Sequence, residues 1–323
     1  MAGLEVKGIS YVCGGVPGAD LRRDLRVIRE ELRCTTVMLI GKDEQALLTS
    51  AEAALGAGLG VWLRPDLTDR SRAELLAGLA RTASAAEALR QRHPDRVTFV
   101  LGTEFSVTTA GIVPGPGVFF RLRILLRWGR FFRRRITRRL GALLAETLAI
   151  VRGQFRGPVT YAAGYWEQVD WSGFDLAGVN LYRRGTDPAA YEATLLKLLR
   201  EAGKPVVVTE FGCGAHVGAE RRGPGSFMIV NWFADPPHVR AGHVRDEGTQ
   251  ARYLSELIEL YARHGVHGCF VFTFAMADFP HRQDPRGDLD MAGFGIVKVP
   301  PGEPGSWTRK EAFDEVARRY AAI

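Results

Sequence analysis

Few of the patterns by which a sequence usually declares its chemistry are present here. There is no HExxH helix, no Walker loop, no GxGxxG turn and no EF-hand loop, which removes the common metal, nucleotide-phosphate and dinucleotide signatures. The four cysteines, Cys13, Cys34, Cys213 and Cys269, form no Cys-x-x-Cys pair and no Cys/His cluster at zinc-finger spacing, so reduced thiols are expected. No apolar run approaches the length of a membrane span. The N-terminal stretch Met1–Lys7 has no apolar core behind a basic start, and a cytoplasmic protein is the expectation. Acidic residues are missing from one long segment, with none between Phe105 and Ala145.

That gap explains the net charge. The formal +7 arises from 43 basic and 36 acidic residues, and nine of the arginines lie between Arg121 and Arg139; taking them out leaves 34 basic residues against 36 acidic. The basic character belongs to one segment, so nucleic-acid binding by the whole molecule does not follow from the charge. The segment interleaves arginine with Phe119, Phe120, Trp128, Phe131 and Phe132. Its simplest reading is a long helix with a solvated arginine face; contact with an anionic surface or an anionic substrate is the functional alternative.

Strand-like and helix-like runs alternate along all 323 residues, which argues for βα units around a parallel sheet. Eight strands are expected, at 7–12, 36–40, 60–63, 98–103, 159–163, 176–181, 205–209 and 268–274. Helices fit at 20–33, 43–55, 70–92, 118–155, 189–202, 246–264 and 307–320. The connection at Tyr165–Asp170 has room for a turn of helix at most. Gly56 and Gly203 follow helices where a left-handed residue is needed, and Pro94 and Pro205 prevent continuation. The count predicts a (β/α)₈ barrel occupying 1–323 as a single domain, with a basic helical insertion at about 118–140. A doubly wound open sheet would call for a glycine-rich phosphate turn after the first strand; Cys13–Gly18 is glycine-rich but lacks the spacing.

Barrel enzymes place their chemistry at the C-terminal ends of the strands. Two strand ends carry a glutamate: Glu104 after Thr98–Thr103, and Glu210 after the β-branched run Val206–Thr209. A carboxylate closing a buried strand loses hydration and needs partners, a raised pKa or a function. Strands four and seven face each other across a barrel mouth, so both side chains can address one substrate. A separation of roughly 5–5.5 Å would suit retaining glycoside hydrolysis, and roughly 6.5–9.5 Å would suit inversion.

On these residues the sequence resembles glycoside hydrolase clan A, the retaining (β/α)₈ glycosidases. The resemblance implies that Glu104 is the acid/base, that Glu210 is the nucleophile, and that Tyr182 hydrogen-bonds the nucleophile. It implies a glycoside or oligosaccharide substrate and neither metal nor organic cofactor. Segments such as Tyr165–Trp171, Asp246–Leu254 and Leu289–Lys298 look closer to actinobacterial glycosidase-like barrels that carry the name "abortive infection protein". Two positions depart from the clan: Thr103 stands where an asparagine usually precedes the acid/base, and Phe272 or Phe274 replaces the tryptophan of strand eight. These departures also fit a non-hydrolytic step, transglycosylation or cyclisation, on a specialised metabolite; a third reading is a binding or defence module that docks through the Arg121–Arg139 helix.

The remaining strand-end residues make up the expected substrate wall: Trp62 and Arg64 on strand three, Trp166 and Glu167 after strand five, Asn180 on strand six and Phe274 on strand eight. An aromatic face and a guanidinium suit a sugar ring and an anionic group. His216, His238, His243 and His281 show no metal-ligand spacing and are expected to brace loops.

Overall fold

The computed structural model describes residues 3–323; Met1 and Ala2, the start of the stretch read for a signal core, lie outside them. Eight parallel strands close into a barrel: β1 (Val6–Val12), β2 (Thr36–Gly41), β3 (Gly60–Pro65), β4 (Val97–Thr103), β5 (Val159–Gly164), β6 (Ala177–Asn180), β7 (Val206–Phe211) and β8 (Gly268–Val271). Each strand pairs with its sequence neighbours, and β8 closes on β1 through Val6↔Gly268 to Ile9↔Val271. This is the (β/α)₈ barrel expected from the alternation of runs.

The helices are α1 (Gly18–Glu30), α2 (Glu44–Gly56), α3 (Arg72–Arg92), a single turn α4 (Phe105–Thr108), α5 (Gly117–Gln154), α6 (Pro188–Glu201), a short α7 (Ala219–Arg222), α8 (Glu247–Arg263) and α9 (Glu311–Ala322). Four of them, α2, α3, α6 and α8, start at polar caps. Asp43, Ser71, Asp187 and Asp246 each accept a backbone N–H of the first turn, and Ser71 forms a capping box with Glu74. The last helix begins at Glu311 rather than Trp307, because Thr308–Arg309 pairs with Val297–Lys298 as a short antiparallel ribbon. The β5–β6 connection carries no helix.

Strand alternation sorts the core into two layers. Val37, Leu39, Val61, Leu63, Phe99, Val159 and Val208 point outward into a large cluster with the helices. Met38, Ile40, Trp62, Val100, Ala162, Val207 and Phe270 fill the barrel interior. The packing is close: a Cβ on Gly178 of β6 would come within 2.5 Å of the Tyr161 carbonyl oxygen.

The β8–α9 segment is tied down by a buried ion network. Arg245 donates to Glu247, Asp288 and Asp290, and the Lys310 ammonium, without solvent exposure, lies 2.8 Å from Asp290. Among the described residues, no helix is long and apolar enough to cross a membrane.

Candidate active site

The two strands that carry the glutamates are the two that break register. On β7, Val206, Val208 and Phe211 all point outward, and two residues instead of one separate the last pair. The same extra residue appears against β6, where Val179 pairs with Val208 but Asn180 pairs with Glu210. On β4, Val100 pairs with Thr160 of β5 while Thr103 pairs with Ala162. The β7 bulge turns two consecutive side chains, Thr209 and Glu210, toward the barrel axis, where a regular strand would send one of them outward; on β4 the extra residue lies just before Thr103, and Glu104 follows at the turn into α4. Glu104 completes its turn in the left-handed region, φ 47°, a conformation that costs free energy for a residue with a Cβ and is found disproportionately at working sites.

The two carboxylates sit in different surroundings. Glu210 is buried and takes an ion pair from Arg64 together with a hydrogen bond from the Tyr182 hydroxyl at 3.0 Å. Burial and the adjacent charges of Glu210 and Glu104 hold the Tyr182 phenol well above its usual range, so it remains a donor. Glu104 has no cation bonded to it. Its Oε1 accepts from the Asn180 amide at 3.0 Å. Burial, and then the negative charge of Glu210, push its carboxyl up to about 8. At neutral pH the Glu104 carboxyl is therefore protonated beside Glu210, which is paired with Arg64, an arrangement able to supply an acid and a nucleophile.

Behind Glu104 stands a brace. The first two N–H groups of α4 are met by the Tyr161 hydroxyl, 2.5 Å from the nitrogen of Phe105, and by Glu167 Oε1, 2.9 Å from that of Ser106. Glu167 Oε2 accepts from Tyr161 at 2.8 Å and from the Gly164 N–H at 3.0 Å. Trp166 donates to Ser106 Oγ at 3.0 Å and lies flat against Gly164, where a Cβ would meet its ring at 2.6 Å.

Several expected wall residues are thus committed elsewhere. Arg64 directs its charge at Glu210 rather than at an open subsite. Asn180 gives its amide to Thr103 and Glu104 and accepts from Thr209 at 2.9 Å, so it holds the Glu104 carboxyl in place. Glu167 is turned inward with both oxygens bonded to protein. Trp62 packs on Phe270 inside the barrel, 4.8 Å between ring centroids. Phe274 has no exposed surface, stacks on Tyr11 and meets Trp307 edge-on. On strand eight it is Phe272, half-buried against Phe294 and the interior cluster, that remains near the axis. Sequence reading missed the brace and the Arg64 pairing because each joins strands far apart in the chain; the lone buried arginine on β3 was the available signal.

One trio among the described residues, His281, Asp288 and Asp290, brings ligand atoms within 4.8 Å of one another. Arg245 and Lys310 already neutralise those carboxylates, which makes the trio part of the buried ion network.

No protein-family model matches the chain, and no curated protein matches it. Solved structures do. The chain is similar to a GH113 beta-1,4-mannanase at 16% identity and TM-score 0.64, covering 99% of this chain and 100% of the other. It is similar to the GH113 beta-mannanase of Alicyclobacillus acidocaldarius at 17% identity and TM-score 0.61, covering 98% and 97%. It is also similar to a GH5-4 broad specificity endoglucanase from Clostridium longisporum at 10% identity and TM-score 0.60, covering 99% and 97%. These neighbours are glycoside hydrolases, and at such identities the likeness establishes the shared barrel fold.

Proposed function

We propose that the chain is a retaining glycosidase-type enzyme in which Glu210 attacks the anomeric carbon and Glu104 protonates the leaving oxygen. Glu104, then deprotonated, takes a proton from water as the glycosyl–Glu210 ester is hydrolysed. Tyr182 and Arg64 hold the Glu210 carboxylate in place, while Asn180 and the Glu167 brace aim Glu104. The observation that carries this reading is the split environment of two glutamates raised on bulges from β4 and β7. Four unpaired cysteines are consistent with work in the cytoplasm. The test is incubation with a panel of fluorinated glycosides bearing activated leaving groups, followed by peptide mapping. A covalent label on Glu210 is expected; turnover of a glycoside with no ester on any carboxylate would overturn the mechanism.

A second reading keeps both carboxylates but delivers the glycosyl group to an acceptor other than water. Thr103 favours it: with Asn180 already bonded to Thr103 and Glu104, the site lacks a free amide beside the acid, and the transition-state hydrogen bond that such an amide supplies in related chemistry contributes several kcal/mol. Analysis of products with and without added acceptor alcohols separates transfer from hydrolysis.

A further inference from the structure

The arginine-rich segment is one continuous helix, α5, whose 38 residues run about 57 Å at the usual rise. Its C-terminal half packs as an ordinary barrel helix through Leu140, Leu143, Leu144 and Val151. The N-terminal half lies over the C-terminal ends of the strands. Arg121, almost fully buried, donates to the Val107 carbonyl just beyond Glu104 and pairs with Asp69 of the β3–α3 loop. Leu125 and Ile136 share a groove with Tyr165 and Trp166 of the β5 loop. Phe119 meets Phe233, in the loop after β7, at 6.5 Å between ring centroids. This half of α5 therefore touches loops from β3, β4, β5 and β7 on the face that carries the two glutamates.

Among the described residues, its outer side has no protein partner. The helical period sets Arg123, Arg127, Arg130, Arg134 and Arg138 in one exposed stripe opposite buried Arg121, Leu125, Ile136 and Leu140. None of the five forms an ion pair among the described residues. Phe119 and Leu126 flank the stripe on one side; Phe120, Phe131 and Trp128 flank it on the other. Leu126 is 61% exposed, Phe131 64%, and the adjoining Phe233 85%. Arg130 rests on Phe131 at 4.5 Å and Arg127 on Trp128 at 5.4 Å, which keeps the guanidinium groups at the surface beside apolar rings.

We propose that this face of α5, extended by Phe233, is a docking surface for a bilayer containing anionic lipid, and that docking turns the barrel mouth toward that bilayer. Charge complementarity selects an anionic partner. The apolar flanks select lipid over nucleic acid: arginines would satisfy the phosphates of a duplex but leave Leu126, Phe131 and Phe233 in water, whereas a headgroup region accepts the cations and the acyl boundary accepts the rings. The inference does not depend on the chemistry proposed for Glu104 and Glu210.

The experiment is co-sedimentation of the full chain with vesicles of phosphatidylcholine alone and of phosphatidylcholine mixed with phosphatidylglycerol, with no glycoside in any arm. The wild-type protein is expected to bind only the mixed vesicles, less tightly as salt rises. The triple variant Arg127→Glu/Arg130→Glu/Arg134→Glu is expected to lose at least roughly a hundredfold in partition. Leu126→Ser/Trp128→Ser/Phe131→Ser is expected to lose vesicle binding while keeping its retention on a heparin column. Tryptophan emission should shift to the blue on binding, and that shift should shrink in Trp128→Phe. All substituted side chains are exposed, and matching circular dichroism melts establish that the variants fold. Failure of the wild-type protein to bind mixed vesicles overturns the proposal, as does vesicle binding that survives either triple variant. Vesicle binding that withstands the serine variant while heparin binding tracks the arginines would make the face a polyanion site instead.

Discussion

At the scale of single residues, the site turns on how protein contacts separate two chemically identical side chains. With its carboxyl pushed up to about 8, Glu104 can serve as the proposed proton donor only while pH stays below that value. Turnover should therefore fall as pH rises through about 8, read from the basic limb of kcat/KM. The linkage has the same sign. Glu104 is protonated in the fold up to about 8 but ionises near its ordinary 4.5 when unfolded, so stability is lost between those values as pH rises. Glu104→Gln should flatten that slope in urea melts across the pH range. The same variant should cost about 10²–10⁴ in kcat on substrates with poor leaving groups and much less on activated aryl glycosides, which need little protonation. Arg64→Met strands the Glu210 charge in the barrel. A loss of roughly a hundredfold in kcat/KM is expected, accompanied by a lower melting temperature; unchanged kinetics would show that the ion pair has no part in function.

Among the elements, β4 and its one-turn helix do the aiming. Gly102 precedes Thr103 in the β4 bulge, and a Cβ there would stand 2.4 Å from the Phe105 ring, which is itself pinned against Tyr161 at 5.0 Å between centroids. Gly102→Ala is expected to cost about 1–3 kcal/mol in denaturant melts and to lower kcat more than it raises KM, because the displaced ring belongs to the turn that presents Glu104. These elements also show how far the sequence could be read. The eight strands were legible because their β-branched and apolar runs end at glycine, proline or a polar residue, and Glu104 and Glu210 were legible as carboxylates at such ends. Tyr182 was placed beside Glu210 only by the resemblance to the clan. Bulges leave no mark in composition, since a bulge is a relation between neighbouring strands. For the same reason Arg64, Asn180 and Glu167 looked like free wall residues: each has its partner on another strand or loop, out of view of any local pattern. Phe274 illustrates the limit of strand alternation, which breaks down where β8 ends and leaves Phe272 nearer the axis.

For the whole molecule, a few buried charges tie the segment after β8 and the last helix to the loop after β7. Lys310 precedes the last helix and, among the described residues, has only Asp290 at ion-pair distance, so Asp290→Asn should leave an uncompensated ammonium in the interior and destabilise the fold by about 3–5 kcal/mol in urea melts. Replacing Asp290 and Lys310 together by apolar residues should recover much of that loss. The paired bulges carry a different kind of consequence. A side chain changes sides with every step along a strand, so deleting a single position upstream of either glutamate would swing that carboxyl group out among the helices while every strand still found its neighbour. A lineage of such barrels could thus gain or shed its reactive centre through one-codon insertions and deletions, with the scaffold's shape almost untouched.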